Sequence, residues 1–228
     1  MSYGMIVLAG GIGERMGRPV PKQFLLLGGK PLLIHVLEKV RGLDEIERVV
    51  ITCPEKHLEA TAELLANHRF GSTFECIVGG ETRQESVYIG LRALDGVDSV
   101  ILHEAVRPLA TAREFRDLLT TPDENAIYGT SIPFTVLKGH DYVEELLERK
   151  ELVNVQLPQK FNRAALLEAH EAARREGREF TEDASLLFNY TKQPVRILPG
   201  STMNIKVTHP VDIVTSEAIY ADLLGRGS

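Results

Sequence analysis

Short runs of aliphatic and β-branched residues recur along the chain, each closed by a turn or a polar residue. Residues 5–8, 49–52, 74–78, 99–103 and 126–132 read as strands, and their continuous apolar character suits parallel strands covered on both faces. Between them, apolar positions three and four apart predict helices over 31–41, 55–67, 83–94 and 112–119. Strand–helix alternation of this kind predicts an α/β fold, a Rossmann-like three-layer sandwich with a mostly parallel sheet.

The rhythm breaks after Pro133. Residues 134–155 place Lys138-Gly139-His140-Asp141 as a turn between two extended stretches, without the spacing of a strand–helix unit, which predicts a protruding β-arm at about 133–155. Beyond it the pattern predicts a helix over 163–176 ending at Gly177, a short helix over 183–188, a strand over 195–198 and a closing helix over 210–224. Residues 225–228 read as a disordered tail. A chain of 228 residues with 43% hydrophobic content can bury one substantial core, so residues 1–228 are expected to form a single domain.

Charge narrows the function classes. Lys and Arg number 26 against 32 Asp and Glu, a formal balance of -6 that argues against a general nucleic-acid binder. Cys53 and Cys76 match no metal-ligand spacing or redox pair and read as buried free thiols. The opening apolar run is too short for a signal peptide and no later segment approaches a membrane span, so the expected location is cytoplasmic, with no membrane partner.

The chemistry begins directly after the first strand. Ala9-Gly10-Gly11-Ile12-Gly13-Glu14-Arg15-Met16-Gly17 packs glycines densely enough for backbone amides to wrap an anion, and phosphate is the natural guest. It is not the Walker pattern, since no Gly-Lys-Ser/Thr follows. Nor is it the dinucleotide fingerprint, because Met16 stands where the third glycine belongs; that argues against a Rossmann-type oxidoreductase. A ligand-free glycine turn is the plain alternative, and Arg15 and Lys22 weigh against it by placing a cation at each end of the loop. Glu104 ends a buried strand with an acid, while His103 before it reads as a core histidine at a strand end.

The segment from Ala9 to Gly17, followed by Pro21-Lys22-Gln23, resembles the start of the IspD-like cytidylyltransferases. Further matches follow in order: Gly79 to Val87, His103 to Pro108, Gln156 to Phe161, Thr181 to Ser185 and Asn204 to Thr208. The resemblance implies that Ala9, Gly10, Gly11, Gly13, Gly80, Arg83, Ser86, Glu104, Ala105 and Arg107 bind the nucleotide CTP. It gives Arg15, Lys22 and Lys206 the catalytic role of holding the triphosphate and the charge that builds on its α-phosphorus. Glu104, where the family usually has Asp, becomes the contact for Mg²⁺. Arg149, Thr135 and Lys138 of the arm become ligands of the second substrate's phosphate, and an arm reaching across a two-fold axis implies a homodimer. Read alone, Ser86 is a helix-start residue, Lys206 a surface lysine and Arg149 an exposed arginine in a charged run.

Several positions depart from the family pattern. Leu157 replaces the usual Thr before Pro158-Gln159, Pro133 to Lys138 lacks the Asp of the Asp-Thr-Ile-Lys that the family often has in the arm, and residues 200–203 lack an acid used by some members. These changes gather on the acceptor side, whereas the CTP motifs are largely intact. The expected reaction is transfer of CMP from CTP to a small polyol phosphate with release of pyrophosphate. Within the family, the methylerythritol phosphate branch of isoprenoid biosynthesis is favoured over the ribitol phosphate branch; a CTP-binding relative without catalysis is the rival from another class.

Overall fold

The computed structural model describes residues 1–11 and 21–226. In chain order the first half holds β1 (Tyr3–Leu8), β2 (Leu26–Leu27), β3 (Lys30–Pro31), α1 (Leu32–Val40), β4 (Ile46–Cys53), α2 (Leu58–Asn67), β5 (Phe74–Val78) and α3 (Arg83–Ala93). The second half holds β6 (Ser99–Glu104), α4 (Ala112–Thr120), β7 (Ala126–Ser131), β8 (Leu137–Gly139), β9 (Val143–Leu146) and β10 (Val153–Asn162). It closes with α5 (Arg163–Glu176), α6 (Asp183–Thr191), β11 (Arg196–Pro199) and α7 (Pro210–Arg226).

Seven strands form one sheet in the order β11-β7-β10-β6-β1-β4-β5. All neighbours run parallel except β10, which is antiparallel to both β6 and β7. Alternation along β1 splits the core into two layers. Met5 and Val7 pack with Leu33 and Leu37 of α1, Leu65 of α2 and Phe115 and Leu118 of α4. Ile6 and Leu8 face the other way, toward Val87 and Leu91 of α3, Leu166 and Ala169 of α5 and Leu187 of α6. A third cluster joins Leu25, Leu27, Leu32, Leu109 and Val207 to Ile213, Ile219 and Tyr220 of α7. The mostly parallel three-layer arrangement agrees with the alternation in the sequence.

Local chemistry sets the helix ends. Thr111 and Glu114 form a reciprocal capping box on α4, and Asn162 caps α5 by accepting from the Ala165 N–H. Such caps contribute about 1 kcal/mol each. Gly177 ends α5 with φ +64°, a left-handed conformation that glycine adopts without steric cost.

Three expectations need correction. The stretch over 55–67 begins as a 3-10 turn, Glu55–His57, before α2, and Gly225 and Arg226 continue α7 rather than joining a tail. Residues 227–228 lie outside the described residues. The arm also ends sooner than 155, because Val153 pairs with Ser131 and Val155 with Gly129 inside the main sheet. The arm proper is the hairpin of β8 and β9 with its flanking segments. Cys53 is buried and Cys76 half-buried; both thiols are free.

Candidate nucleotide site

The chain runs from β1 outward through β4 to β5 on one side, and β6 lies on the other side of β1. Ligands of open α/β sheets bind outside the carboxyl ends of the strands where the order reverses. Here that crevice is a cavity of about 250 Å³ lined by the ends of β1 and β6, the loop after β5 and the segment before α7. Ala9, Gly10, Gly11, Lys22, Gly80, Arg83, Ser86, Glu104 and Lys206 all border it. Nine of the residues expected from sequence are thus brought together. Gly13 and Arg15 lie outside the described residues.

The backbone explains the loops. The Ala9 N–H donates to the Thr52 carbonyl at 2.8 Å and the Ala105 N–H to the Leu8 carbonyl at 3.0 Å, so the sheet pairing extends to the cavity floor. Among the described residues, a Cβ at Gly10 would meet no atom within 4 Å, so their packing does not account for glycine there. Gly80 differs, since a Cβ there would collide with the Glu85 side chain. Ser86 Oγ accepts from the Gly80 N–H at 3.1 Å and lies 3.0 Å from the Thr82 carbonyl, so it shapes this loop as well as bordering the cavity.

Charge gathers on Glu104. Its Oε1 accepts from Lys206 Nζ at 2.8 Å and lies 3.6 Å from Arg83 Nε, and its Oε2 accepts from Arg107 Nε at 3.3 Å. Burial alone would raise the pKa of this carboxyl, but Lys206, Arg107 and Arg83 outweigh it and hold the group below the ordinary range. Lys22 Nζ donates to the Thr208 carbonyl at 3.1 Å, bringing the opposite wall to the same segment as Lys206. His103 is fully buried and faces Phe115, and burial pushes its pKa down to about 3. It is a neutral core histidine, as its position at the strand end suggests.

The expected Mg²⁺ contact of Glu104 does not fit this donor set. Both carboxylate oxygens already accept from cations, and a divalent ion placed there would face three positive groups. Among the described residues no group of three His, Cys, Asp or Glu side chains is placed to hold a metal.

A second cavity of about 460 Å³ opens at the base of the arm, lined by Arg107, Thr130, Ser131, Pro133, Phe134, Asn154, Gln156, Thr202, Asn204, Ile205 and Lys206. Lys206 borders both cavities. Arg107 borders this second one, and Ala105 is fully buried beneath Glu104, bordering neither. Arg107 Nη1 and Gln156 Nε2 both donate to the Asn204 carbonyl, while Asn204 Nδ2 donates to Glu114 and to the Leu157 carbonyl. Leu157 turns its side chain into the core, so it contributes no polar group to the wall.

Thr135, Lys138 and Arg149 are exposed on the arm and border neither cavity within one chain. Lys138 pairs with Glu145 at 3.5 Å, and Arg149 Nη1 donates to the Pro133 carbonyl at 3.0 Å. Sequence reasoning assigned no role to Asp183 and His170, which stand behind Arg83, or to Gln156, which orders the second cavity. Asp183 and Gln156 lie within matched motifs, whereas His170 left only the faint signal of a polar residue inside an apolar helical pattern.

Known proteins resemble the chain along its length. The family model described as IspD, 2-C-methyl-D-erythritol 4-phosphate cytidylyltransferase, matches residues 4–222. The 2-C-methyl-D-erythritol 4-phosphate cytidylyltransferase of Geobacillus kaustophilus is 38% identical, covering 99% of this chain and 100% of that protein. The ribitol-5-phosphate cytidylyltransferase of Lactiplantibacillus plantarum is 31% identical over 93% of this chain and 96% of that one. Among solved structures, a 4-diphosphocytidyl-2C-methyl-D-erythritol synthase from Anaerococcus prevotii superposes with a TM-score of 0.84 at 26% identity, covering 96% of each chain.

Proposed function

The chain belongs to the 2-C-methyl-D-erythritol 4-phosphate cytidylyltransferase family, and on that premise we propose that it transfers CMP from CTP to 2-C-methyl-D-erythritol 4-phosphate. The observation that carries the reading is the position of Lys206, which borders both the cavity of the nucleotide motifs and the cavity at the base of the arm. A cation at that junction suits a reaction in which one substrate's phosphate meets another's.

In this reading an oxygen of the acceptor phosphate attacks the α-phosphorus of CTP. The bond from that phosphorus to the bridging oxygen breaks, and pyrophosphate leaves with the electron pair. No covalent enzyme intermediate is needed. Ala9, Gly10, Gly11, Gly80 and Ser86 read the base through backbone groups and one hydroxyl, Arg15 and Lys22 hold the triphosphate, and Lys206 stabilises the charge on the α-phosphorus. Glu104 orients Lys206 and Arg107 rather than holding Mg²⁺, and no step runs through a protein-bound metal.

The acceptor occupies the second cavity, where Arg107 and Lys206 meet its phosphate. Thr135, Lys138 and Arg149 reach such a cavity from the arm of a second copy. Support for a homodimer comes from the apolar face that the arm exposes, with Phe134 75%, Tyr142 85%, Val143 69% and Leu146 69% accessible. No helix among the described residues is long and apolar enough to cross a membrane.

Pyrophosphate release with CTP, compared between 2-C-methyl-D-erythritol 4-phosphate and D-ribitol 5-phosphate, tests the reading. Preference for ribitol 5-phosphate would move the chain to the branch of its Lactiplantibacillus relative, and CTP binding without turnover on either would leave a binding protein.

A further inference from the structure

Arg83 borders the nucleotide cavity but is held from behind by groups that border neither cavity. Its Nη1 donates to Asp183 Oδ2 at 2.6 Å, and Asp183 Oδ1 lies 3.0 Å from His170 Nε2. Asp183 is 1% exposed and His170 0%. Burial alone would raise the Asp183 pKa, but the charge of Arg83 and the bond from His170 outweigh it and keep the carboxyl ionised below its ordinary range. An ionised carboxylate accepts and cannot donate, so His170 Nε2 carries the proton. Among the described residues His170 Nδ1 has no hydrogen-bond partner, so the ring's polarity is directed at Asp183.

A bare structural tie between α3 and α6 is the simpler account, yet the next residue already ties α3 to the segment before α6. Gln84 Oε1 accepts from the Phe180 N–H at 2.6 Å, and Gln84 Nε2 donates to the Arg178 carbonyl at 3.2 Å. What Asp183 adds is control of the Arg83 guanidinium. The competing destination is Glu104, whose Oε1 lies 3.6 Å from Arg83 Nε and accepts from Lys206 at 2.8 Å. Without the Asp183 charge the guanidinium would swing to Glu104 and compete with Lys206 for the same oxygen.

We propose that Asp183, oriented by His170, is a positioning residue for the nucleotide site: it pins Arg83 in the cavity wall and so leaves Glu104 to Lys206. The inference rests on the assignment of this cavity to CTP. It makes CTP affinity depend on a buried carboxylate that does not touch the nucleotide.

The test compares wild type, Asp183→Asn, Arg83→Met and the double variant by KM for each substrate and by kcat. Asp183→Asn is expected to raise the KM for CTP about tenfold, with the KM for the acceptor within about twofold. In the Arg83→Met background the same substitution adds no further rise, because there is no guanidinium left to position. An unchanged KM for CTP in the folded single variant, or an equal further rise in the Arg83→Met background, overturns the proposal. Should Asp183→Asn fail to fold, His170→Phe keeps both charges and permits the same comparison. Its expected rise is about threefold, vanishing without Arg83, and no rise, or one that persists in Arg83→Met, overturns the proposal. Calorimetric CTP binding by the same variants gives the comparison even if wild type releases no pyrophosphate, so failure of the transfer reading is told apart from failure of this one.

Discussion

Glu104 Oε1 lies 2.8 Å from Lys206 Nζ, joining the carboxyl end of β6 to the segment that leads into α7 across 102 positions of sequence. Arg107 donates to the same carboxylate and Arg83 Nε stands 3.6 Å from it, so one acidic side chain faces three cations around the two cavities. Glu104→Gln keeps the shape and removes the charge that organises them. It is expected to lower kcat/KM for CTP by roughly ten- to a hundredfold, and steady-state pyrophosphate release checks it.

The same carboxyl gives a pH signature. Its folded pKa is depressed by the three cations, so its contribution to stability is present above the ordinary carboxylate pKa and is lost as pH falls through the depressed value. Glu104→Gln lacks that titration. The melting-temperature gap between wild type and variant is therefore expected to close as pH falls from about 7 to about 3. A gap that stays constant across that range would contradict an ionised, cation-held Glu104.

Lys22 is 8% exposed in the cavity wall. Lys22→Ala is expected to lower kcat by roughly two to three powers of ten, the usual loss of a charge aimed at a developing anion in a closed site. Undiminished turnover would remove Lys22 from the triphosphate.

Gly90 of α3 lies against Ile6 of β1, where an added Cβ would come within 2.8 to 2.9 Å of three Ile6 side-chain atoms. Gly90→Ala should destabilise the fold by about 1–3 kcal/mol through overpacking. Calorimetry would then show melting several degrees lower, at roughly 2–4 °C for each kcal/mol. Ile6→Val in the same chain should recover part of the loss.

The arm makes two separable predictions. The proposed homodimer predicts that the wild type sediments as a dimer and that Val143→Asp on the exposed apolar surface of the arm sediments as a monomer; a wild type that sediments as a monomer would remove the dimer. Arg149→Ala is expected to raise the KM for the acceptor about tenfold while leaving that for CTP within about twofold. A change in the CTP value alone would detach Arg149 from the acceptor phosphate.

Much of the frame was legible because its elements are local. Short apolar runs and 3.6-residue periodicity define β1, β4 to β7 and the helices, and glycine after Leu8 and Val78 marks loops at strand ends. The strand β10 escaped notice because Pro158 lacks an N–H and ordinarily argues against an interior strand. Here the ladder shifts register between Gln156 and Gln159, so no bond is asked of Pro158. The Glu104 and Asp183 networks were illegible for another reason. The bonds from Arg83 to Asp183 and from Lys206 to Glu104 join positions 100 and 102 apart, and proximity at that separation is set by the packed sheet, not by any spacing.

Ser131 and Val153 face each other in adjacent strands, and the whole arm is spliced between them. The arm is therefore a cassette whose two ends are clamped by the sheet. Additions, deletions and new side chains within it need not propagate into β6 or the loops after β1 and β5. Such an architecture lets the arm's own surface be rewritten in one contiguous segment while the strand-end loops that carry the nucleotide motifs stay in place.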